Sequence, residues 1–530
     1  MTPGRAGGQA SLGTMDWALA VDLGTSGPKV GLVAADGRVV GGAHEPVALH
    51  LLPGGGAEQD PDDWWRATTI AAGRVTAAHP EEAGRVVAVG VTAQWSGTVP
   101  VGRDLRPLGR AIIWLDHRGA AEVGRMVGGP VRVAGYGITK AVRWIRLTGG
   151  APGKAGKDPL AHILWLRAAR PEVYEATTVF LEPKDYLNLR LTGRPVATFD
   201  SIALHWLTDN RDPDAVRYDD GLLRLSGLDG TRFPELIPAT GVVGSLLPGA
   251  ALALGVPAGI PVIGGTPDVP SANIGAGAVA DFAPHLYLGT SSWLSCHVPF
   301  KKTDLLHNMA SLPSPLPGRY FLANEQETAG ACIDQLVRFL CPDRERATAL
   351  ADLNEAAARA PAGSGGLIFT PWLQGERTPV EDSSLRGGFF NQSLATTRDD
   401  MVRAVFEGVA LNARWLLEAV ERFTGRRMDP ITIVGGGAQS ELWCGIHADV
   451  LGRTMRRAAD PILVNLRGAG LLALAALGHL RFADIPARVP IADTHEPDPR
   501  VSDVYNAAYS AFRRIHGANR RLYARLNPAA

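Results

Sequence analysis

Two short stretches of this chain share one pattern, and the pair constrains the fold more than any overall figure does. Asp22 to Val33 reads Asp-Leu-Gly-Thr-Ser-Gly-Pro-Lys-Val-Gly-Leu-Val, and Tyr287 to Ser292 reads Tyr-Leu-Gly-Thr-Ser-Ser. Before the first loop, Trp17 to Val21 is short and apolar, as a buried strand is; Val30 to Ala34 is a second such run, and Asp36-Gly37 signals a hairpin turn. The loop therefore joins two strands. Gly24 and Gly27 free its backbone to bend tightly, while Thr25 and Ser26 add hydroxyls, giving a concave set of donors able to hold a phosphate chain. Asp22, at the entrance, then faces a metal riding on those phosphates. The second loop has the same ingredients without the carboxylate. Either loop alone is equally an ordinary hairpin; two of them suit two related halves around one cleft.

A chain of 530 residues exceeds what one hydrophobic core usually supports, so two large domains are expected. Lys plus Arg equals Asp plus Glu at 53 each, and 46% of residues are hydrophobic, which gives no electrostatic bias toward nucleic acid or an anionic membrane. The expected partner is a small molecule. Cys296, Cys332, Cys341 and Cys444 have neither C-x-x-C spacing nor the density of a secreted scaffold, and read as reduced and intracellular. Met1 to Thr14 is rich in Gly and small polar residues and reads as a disordered tail, with Met15 as an alternative start. The most apolar helical run, Leu471 to Leu477, is too short to span a bilayer.

Along the chain, Asp60-Pro61 marks a helix start and predicts a helix to about Ala78. Val86 to Val91 is a strand that delivers Gln94, Trp95 and Ser96 to its end, the place where open α/β sheets bind ligands. Ala111 to Trp114 is another strand, with Asp116 and Arg118 read as an ion pair pinning the following loop. Gly150 to Lys154 fails as a P-loop and reads as a mobile linker. Pro183 to Tyr186, Pro-Lys-Asp-Tyr, is distinctive but without an assigned task. Ile260 to Ile263 is a strand ending at Gly264-Gly265-Thr266-Pro267-Asp268, where the carboxylate is equally a catalytic group and a helix cap. Thr397 and Asp400 form a capping box for an amphipathic helix in which Arg403 and Glu407 are expected as a surface pair. Ile431 to Val434 runs into Gly435-Gly436-Gly437, and Ser440 caps the next helix, an arrangement that lets a nucleotide approach the backbone. Arg467 to Gly470 opens the apolar helix, and a terminal helix follows Ser502.

Taken together these motifs resemble the FGGY family of carbohydrate kinases, within the actin, sugar kinase and Hsp70 superfamily, and are most similar to its xylulokinases. The anchors are Asp-Leu-Gly-Thr-Ser at Asp22, Glu-Gln-Asp-Pro with Trp64-Trp65, Gly-Gly-x-x-Asp at Gly264, Leu-Gly-Thr-Ser at Leu288, Arg-Gly-Gly-Phe-Phe at Arg386 through Glu407, and Gly-Gly-Gly-Ala at Gly435. The resemblance implies two actin-like (ribonuclease H-like) α/β domains, each a mixed β-sheet flanked by helices, around a central cleft. Residues 15–265 would be the sugar side, 266–490 the ATP side, and 491–530 a C-terminal helix and tail. It implies Gly24, Thr25 and Ser26 as first phosphate loop, Gly289, Thr290 and Ser291 as second, and Gly435, Gly436 and Gly437 as adenosine loop. Gln94, Trp95 and Ser96 would meet the sugar, Asp268 would be the catalytic base, and Asp22 would hold Mg2+ through water. ATP and Mg2+ are the implied cofactors, a sugar or polyol the acceptor, and the cytoplasm the location; a homodimer is left open.

Two departures bear on the acceptor. Xylulokinases usually carry Gln-Met-His-Gly where this chain has Gln94-Trp95-Ser96-Gly97, and asparagine where Val269 follows Asp268. D-xylulose is the family default; ribulose, gluconate, glycerol and deoxy sugars are alternatives, as is a nucleotide-switch binding protein of the same superfamily.

Overall fold

The computed structural model describes residues 15–133 and 135–527; the tail read at Met1 to Thr14 lies outside them. The first half builds a six-stranded mixed sheet. Its parts are β1 (Trp17–Gly24), β2 (Gly27–Ala34), β3 (Val39–His44), α1 (Pro61–Ala78), β4 (Val86–Ala93), α2 (Pro159–Ala169), α3 (Pro183–Thr192), β5 (Val242–Ser245), β6 (Pro261–Ile263) and α4 (Asp268–Gly275). The strand order is β5-β6-β4-β1-β2-β3, with β6, β4 and β1 parallel and the rest antiparallel. The second half contributes β7 (His285–Leu288), β8 (Ser292–Ser295), α5 (Gly330–Leu340), α6 (Arg398–Thr424), β9 (Ile431–Val434), α7 (Glu441–Leu451), β10 (Met455–Ala458), α8 (Val464–Ala476), β11 (Ile491–His495) and α9 (Ser502–Leu526). Its sheet runs β8-β7-β9-β10-β11, again with three parallel central strands, β7, β9 and β10. The expected pair of mixed α/β layers is present.

Alternation along β1 explains why helices cover both faces. Leu19, Val21 and Leu23 enter the core that includes Ala71 and Val75 of α1, while Ala18 and Ala20 face α8. The α8 face is small by necessity: a Cβ on Gly90 would stand 2.4 Å from the Ala469 carbonyl oxygen. A helix from the second half thus lies flat on the first sheet. Asp60 caps α1 through the Asp62 amide, the Thr397–Asp400 capping box closes reciprocally, and Ser440 caps α7, as read from the sequence.

Four local expectations change. Gly150 to Lys154 is a packed turn and not a mobile linker, because Trp206 fills the space beside Gly150, Thr148 donates to the Gly150 carbonyl at 3.0 Å, and Asp158 accepts the Gly153 amide at 2.6 Å. Arg403 and Glu407 do pair, at 2.7 Å, but both are buried under α9, whose Tyr505 hydroxyl donates to Glu407 at 2.8 Å. The helix expected to open at Arg467 already starts at Val464, so Arg467 is inside it, donating to the carbonyls of Gly37 and Ala459. The strand expected over Ala111 to Trp114 is only Ala111–Ile112.

Candidate active site

Three neighbouring parallel strands of the first sheet end at one rim, and each delivers a residue singled out above. β1 ends at Asp22 and the Gly24–Gly27 pair, β4 at Gln94, and β6 at the corner carrying Asp268. The ends are locked together: the Gln94 amide donates to the Leu23 carbonyl at 2.8 Å, and Gly265, at φ +72°, lies so close to β4 that a Cβ would stand 2.1 Å from the Val91 oxygen. Crevices at the carboxyl ends of parallel strands are where such sheets bind ligands.

The first loop is held by side chains beneath it. Thr25 Oγ1 donates to Gln94 Oε1 at 3.0 Å and accepts from Trp114 Nε1 at 2.9 Å. Gln59 Nε2 donates to the Thr25 carbonyl at 2.7 Å, and Gln94 Nε2 donates to Gln59 Oε1 at 2.8 Å. Both ends of the Gln94 amide are therefore engaged with the loop's support. Ser26 at the tip is exposed. Asp22 is buried, with Lys29 Nζ at 3.6 Å from its Oδ2. Lys29 was not singled out from the sequence, although the hairpin register pairs it directly with Asp22.

In the second sheet β7 and β9 run parallel and end at the other two glycine loops. The Gly330 and Ala329 amides donate to the Gly289 and Thr290 carbonyls, each at 2.8 Å, which pins the second loop to the start of α5. Gly435, at φ +91°, abuts it: a Cβ there would stand 2.5 Å from the Leu288 oxygen. Gly436 has open space beside it and is exposed, as is Thr290. The second and third loops thus form one continuous backbone surface.

The lobes meet at the carboxylates. Burial first, then the negative charge of Asp22, pushes the Asp268 carboxyl up to about 7; Glu325 adds to the rise and the Val269 amide opposes it. Tyr287, at the end of β7, is pushed up by burial and by both Asp22 and Asp268, so the second lobe reaches the first lobe's acids. Its ring stacks on Trp293 with centroids 4.0 Å apart. Asp268 is the first residue of α4; the cap position is Pro267, which makes no side-chain capping bond, and the carboxylate accepts from the Val269 amide at 2.9 Å.

Trp95 and Ser96 have their polar atoms occupied by protein. Trp95 Nε1 donates to the Ser201 carbonyl at 2.9 Å, its ring lies 5.8 Å from that of Phe321 across the lobes, and Ser96 Oγ donates to the Lys157 carbonyl at 2.7 Å. Lys157 Nζ is 3.6 Å from Glu327, and Arg377 pairs with both Glu327 and Glu325. This bridge joins three distant segments, and no local pattern announces it. Asp116 and Arg118 do pair, with Glu58 as a further partner, and Asp116 Oδ2 accepts the Ala57 amide at 2.9 Å, which pins the loop.

Among the described residues no group of three or more His, Cys, Asp or Glu side chains is placed to hold a metal ion. Asp22, beside the first glycine loop and close enough to Asp268 to raise its carboxyl, suits a magnesium ion carried on substrate phosphates, which needs one or two protein oxygens and keeps several waters. The four cysteines are buried and free, and among the described residues no helix is long and apolar enough to cross a membrane.

Comparison with known proteins agrees with this geometry. Residues 17–275 match the model for the N-terminal domain of the FGGY family of carbohydrate kinases, and residues 286–477 match that for its C-terminal domain. The xylulose kinase of Escherichia coli K12 is 28% identical over 513 residues, covering 94% of this chain and 98% of that protein. A gluconokinase of Bacillus subtilis is 24% identical and covers 82% of each. The crystal structure of a xylulose kinase from Brucella ovis superposes with a TM-score of 0.84 at 25% identity, covering 96% of this chain and all of that one. The fold is the two-domain actin-like architecture, and the chain belongs to the FGGY family of carbohydrate kinases, phosphotransferases that act on a sugar hydroxyl.

Proposed function

We propose that this protein is an ATP-dependent kinase of a small sugar or polyol, with D-xylulose and ATP going to D-xylulose 5-phosphate and ADP as the default reaction, and with the lobe that carries Asp22, Gln94 and Asp268 as the sugar side and the lobe built on β7 to β11 as the nucleotide side. The observation that carries the reading is Asp268: a carboxyl raised to about 7, at a strand end beside the first phosphate loop. Such a group is matched to taking a proton near neutrality.

Phosphoryl transfer needs position and charge stabilisation more than covalent help. An acceptor hydroxyl oxygen forms a bond to the γ-phosphorus as the bond to the β,γ-bridging oxygen breaks; ADP leaves with that electron pair, and the hydroxyl proton passes to Asp268. Gly24, Thr25 and Ser26 face the phosphates from one lobe and Gly289, Thr290 and Ser291 from the other. Gly435, Gly436 and Gly437 receive the adenosine, the open side of Gly436 admitting it. Asp22 would hold Mg2+ through water, the ion supplying charge neutralisation on the phosphate oxygens.

A second reading of the acceptor follows from Trp95 and Ser96, whose hydrogen-bonding atoms already have protein partners. A wall without free donors disfavours a substrate hydroxyl placed against it. The acceptor would then be a polyol or ketose other than D-xylulose, with an apolar edge toward Trp95. ADP release measured over a panel of ketoses, polyols, aldonates and deoxy sugars tests both readings. ATP turnover that needs no added acceptor would instead favour a nucleotide-switch protein.

A further inference from the structure

The Pro-Lys-Asp-Tyr motif at the start of α3 has no part in the reaction as described, yet its charged pair lies directly under the corner that carries Asp268. Lys184 and Asp185 are 1% and 0% exposed. The ammonium of Lys184 pairs with Asp185 and donates to the Gly264 carbonyl at 2.8 Å; Asn188 Nδ2, one turn along α3, donates to the same oxygen at 2.8 Å. Two residues on, Thr266 Oγ1 donates to buried Asp200. The corner between these anchors has little freedom of its own, since a Cβ on Gly264 would stand 2.8 Å from Thr198 Cγ2.

The same network reaches the acceptor wall. Ser201 Oγ donates to Asp185 Oδ2 at 2.7 Å, and the Ser201 carbonyl accepts Trp95 Nε1 at 2.9 Å. One serine thus joins the support of the Asp268 corner to the support of Trp95. Stability alone is a poor reason for burying an ion pair here, because well-packed apolar residues usually serve at least as well. What a charged cluster bonded through Lys184, both oxygens of Asp185, Ser201 and Thr266 adds is a preferred geometry, even with Asp200 Oδ1 and Asn188 Oδ1 left unpartnered.

We propose that Lys184 and Asp185, with Ser201, Asp200 and Thr266, form a positioning network that fixes Asp268 and Trp95 relative to each other, so that the base and the acceptor wall are held as one unit. The inference rests on Asp268 being the base. All five residues are buried, and they act through the Gly264–Thr266 backbone and the Trp95 indole.

The test uses the full chain with Asp185→Asn and Thr266→Val, which keep side-chain shape, and Lys184→Met as the harsher change. Displacement of a reacting group by about 1 Å costs on the order of 10²-fold in rate. The expected result is a fall of about 10- to 100-fold in kcat with the acceptor. ATP affinity and the slow acceptor-free hydrolysis of ATP should stay within about twofold, and the pH at which the activity limb rises should be retained, since Asp268 is still the base. If Lys184→Met does not fold, the two isosteric variants decide. Wild-type turnover in both, beside an inactive Asp268→Asn control, overturns the network alone; an active Asp268→Asn overturns the catalytic reading beneath it. ATP affinity falling as far as kcat would mark general loosening of the lobe and also overturn the proposal.

Discussion

Replacing Asp268 by asparagine separates its two sequence readings, because the folded chain has changed what each forecasts. As a helix cap the substitution would be silent, since asparagine caps about as well as aspartate. The structure gives the cap position to Pro267 and leaves Asp268 accepting one bond from the Val269 amide, which an asparagine oxygen also accepts. What is lost is the proton acceptor, a contribution of roughly 10²–10⁴-fold in turnover, or about 3–5 kcal/mol of barrier.

The same substitution should stabilise the nucleotide-free protein. A carboxyl whose folded pKa lies above its unfolded value opposes folding once ionised, so this site costs stability progressively as pH rises from about 4 to about 7. Raising the carboxyl from 3.8 to about 7 corresponds to about 4 kcal/mol at about 1.36 kcal/mol per pH unit, an upper bound that solvent in the cleft reduces to ~1–2 kcal/mol. Asp268→Asn should therefore match wild type in denaturant midpoint at pH 4, exceed it at pH 8, and lose acceptor-dependent ADP release at pH 8, where the wild-type carboxylate is ionised. In wild type, kcat/KM for the acceptor should rise with pH through about 7. Full activity in the variant refutes the base; equal stability at pH 8 refutes the electrostatic account of its pKa.

Three further outcomes follow from particular contacts. Glu407→Gln should lower stability by about 3 kcal/mol, because it strips a buried Arg403 of its charge partner, while kcat stays unchanged; urea denaturation beside steady-state kinetics checks this, and a silent substitution would restore the surface pair expected from sequence. Gly435→Ala should cost about 1–3 kcal/mol of stability, since φ is +91°, whereas Gly436→Val, at an open position, should fold normally and raise the KM for ATP. Trp95→Met with Ser96→His should shift the acceptor panel toward D-xylulose; D-xylulose already leading the panel for the wild type would remove the argument from these two residues.

How much was legible from sequence follows the range of the signals. The β1–loop–β2 hairpin, the Asp60 and Ser440 caps and the Thr397–Asp400 box were readable because each is written within a few residues. The Arg403–Glu407 spacing was readable as well, but its burial depends on Tyr505 of α9, about a hundred residues later. The loop glycines fall where expected because positive φ and close approach at Gly265 and Gly435 admit no side chain. The partners of the site residues were not readable. Trp95 and Ser96 turn their polar atoms to the carbonyls of Ser201 and Lys157, and Gln94 supports Thr25, through contacts that only tertiary folding creates. The Pro-Lys-Asp-Tyr motif stood out in the sequence, but its purpose depends on the Gly264 carbonyl, eighty residues away.

The packing also determines how the lobes can move. α4, which begins with Asp268, and α8 touch backbone to backbone: a Cβ on Gly275 would stand 1.8 Å from the Val464 oxygen, one on Gly468 would stand 2.0 Å from the Ser271 oxygen, and Ser271 Oγ donates to the Asn465 carbonyl at 2.9 Å. Such a pair cannot slide without losing that fit, and α8 also lies flat on β1, β2 and β4. Asp268 and α8 therefore travel with the first sheet. The Gly435 loop belongs to the second sheet, joined to α8 through the short Pro461–Leu463 turn, whose Pro461 carbonyl accepts the Gly435 amide at 2.9 Å, and through Arg467, which donates to the Ala459 carbonyl after β10. Rotation at this turn and at the link from α4 to β7 is the motion the packing allows. It would bring the second and third loops toward Asp22 and Asp268, excluding water that competes as acceptor. A non-hydrolysable ATP analogue and the acceptor together should then lower the radius of gyration in solution scattering more than either does alone. An unchanged radius with both bound would count against rotation at these two links.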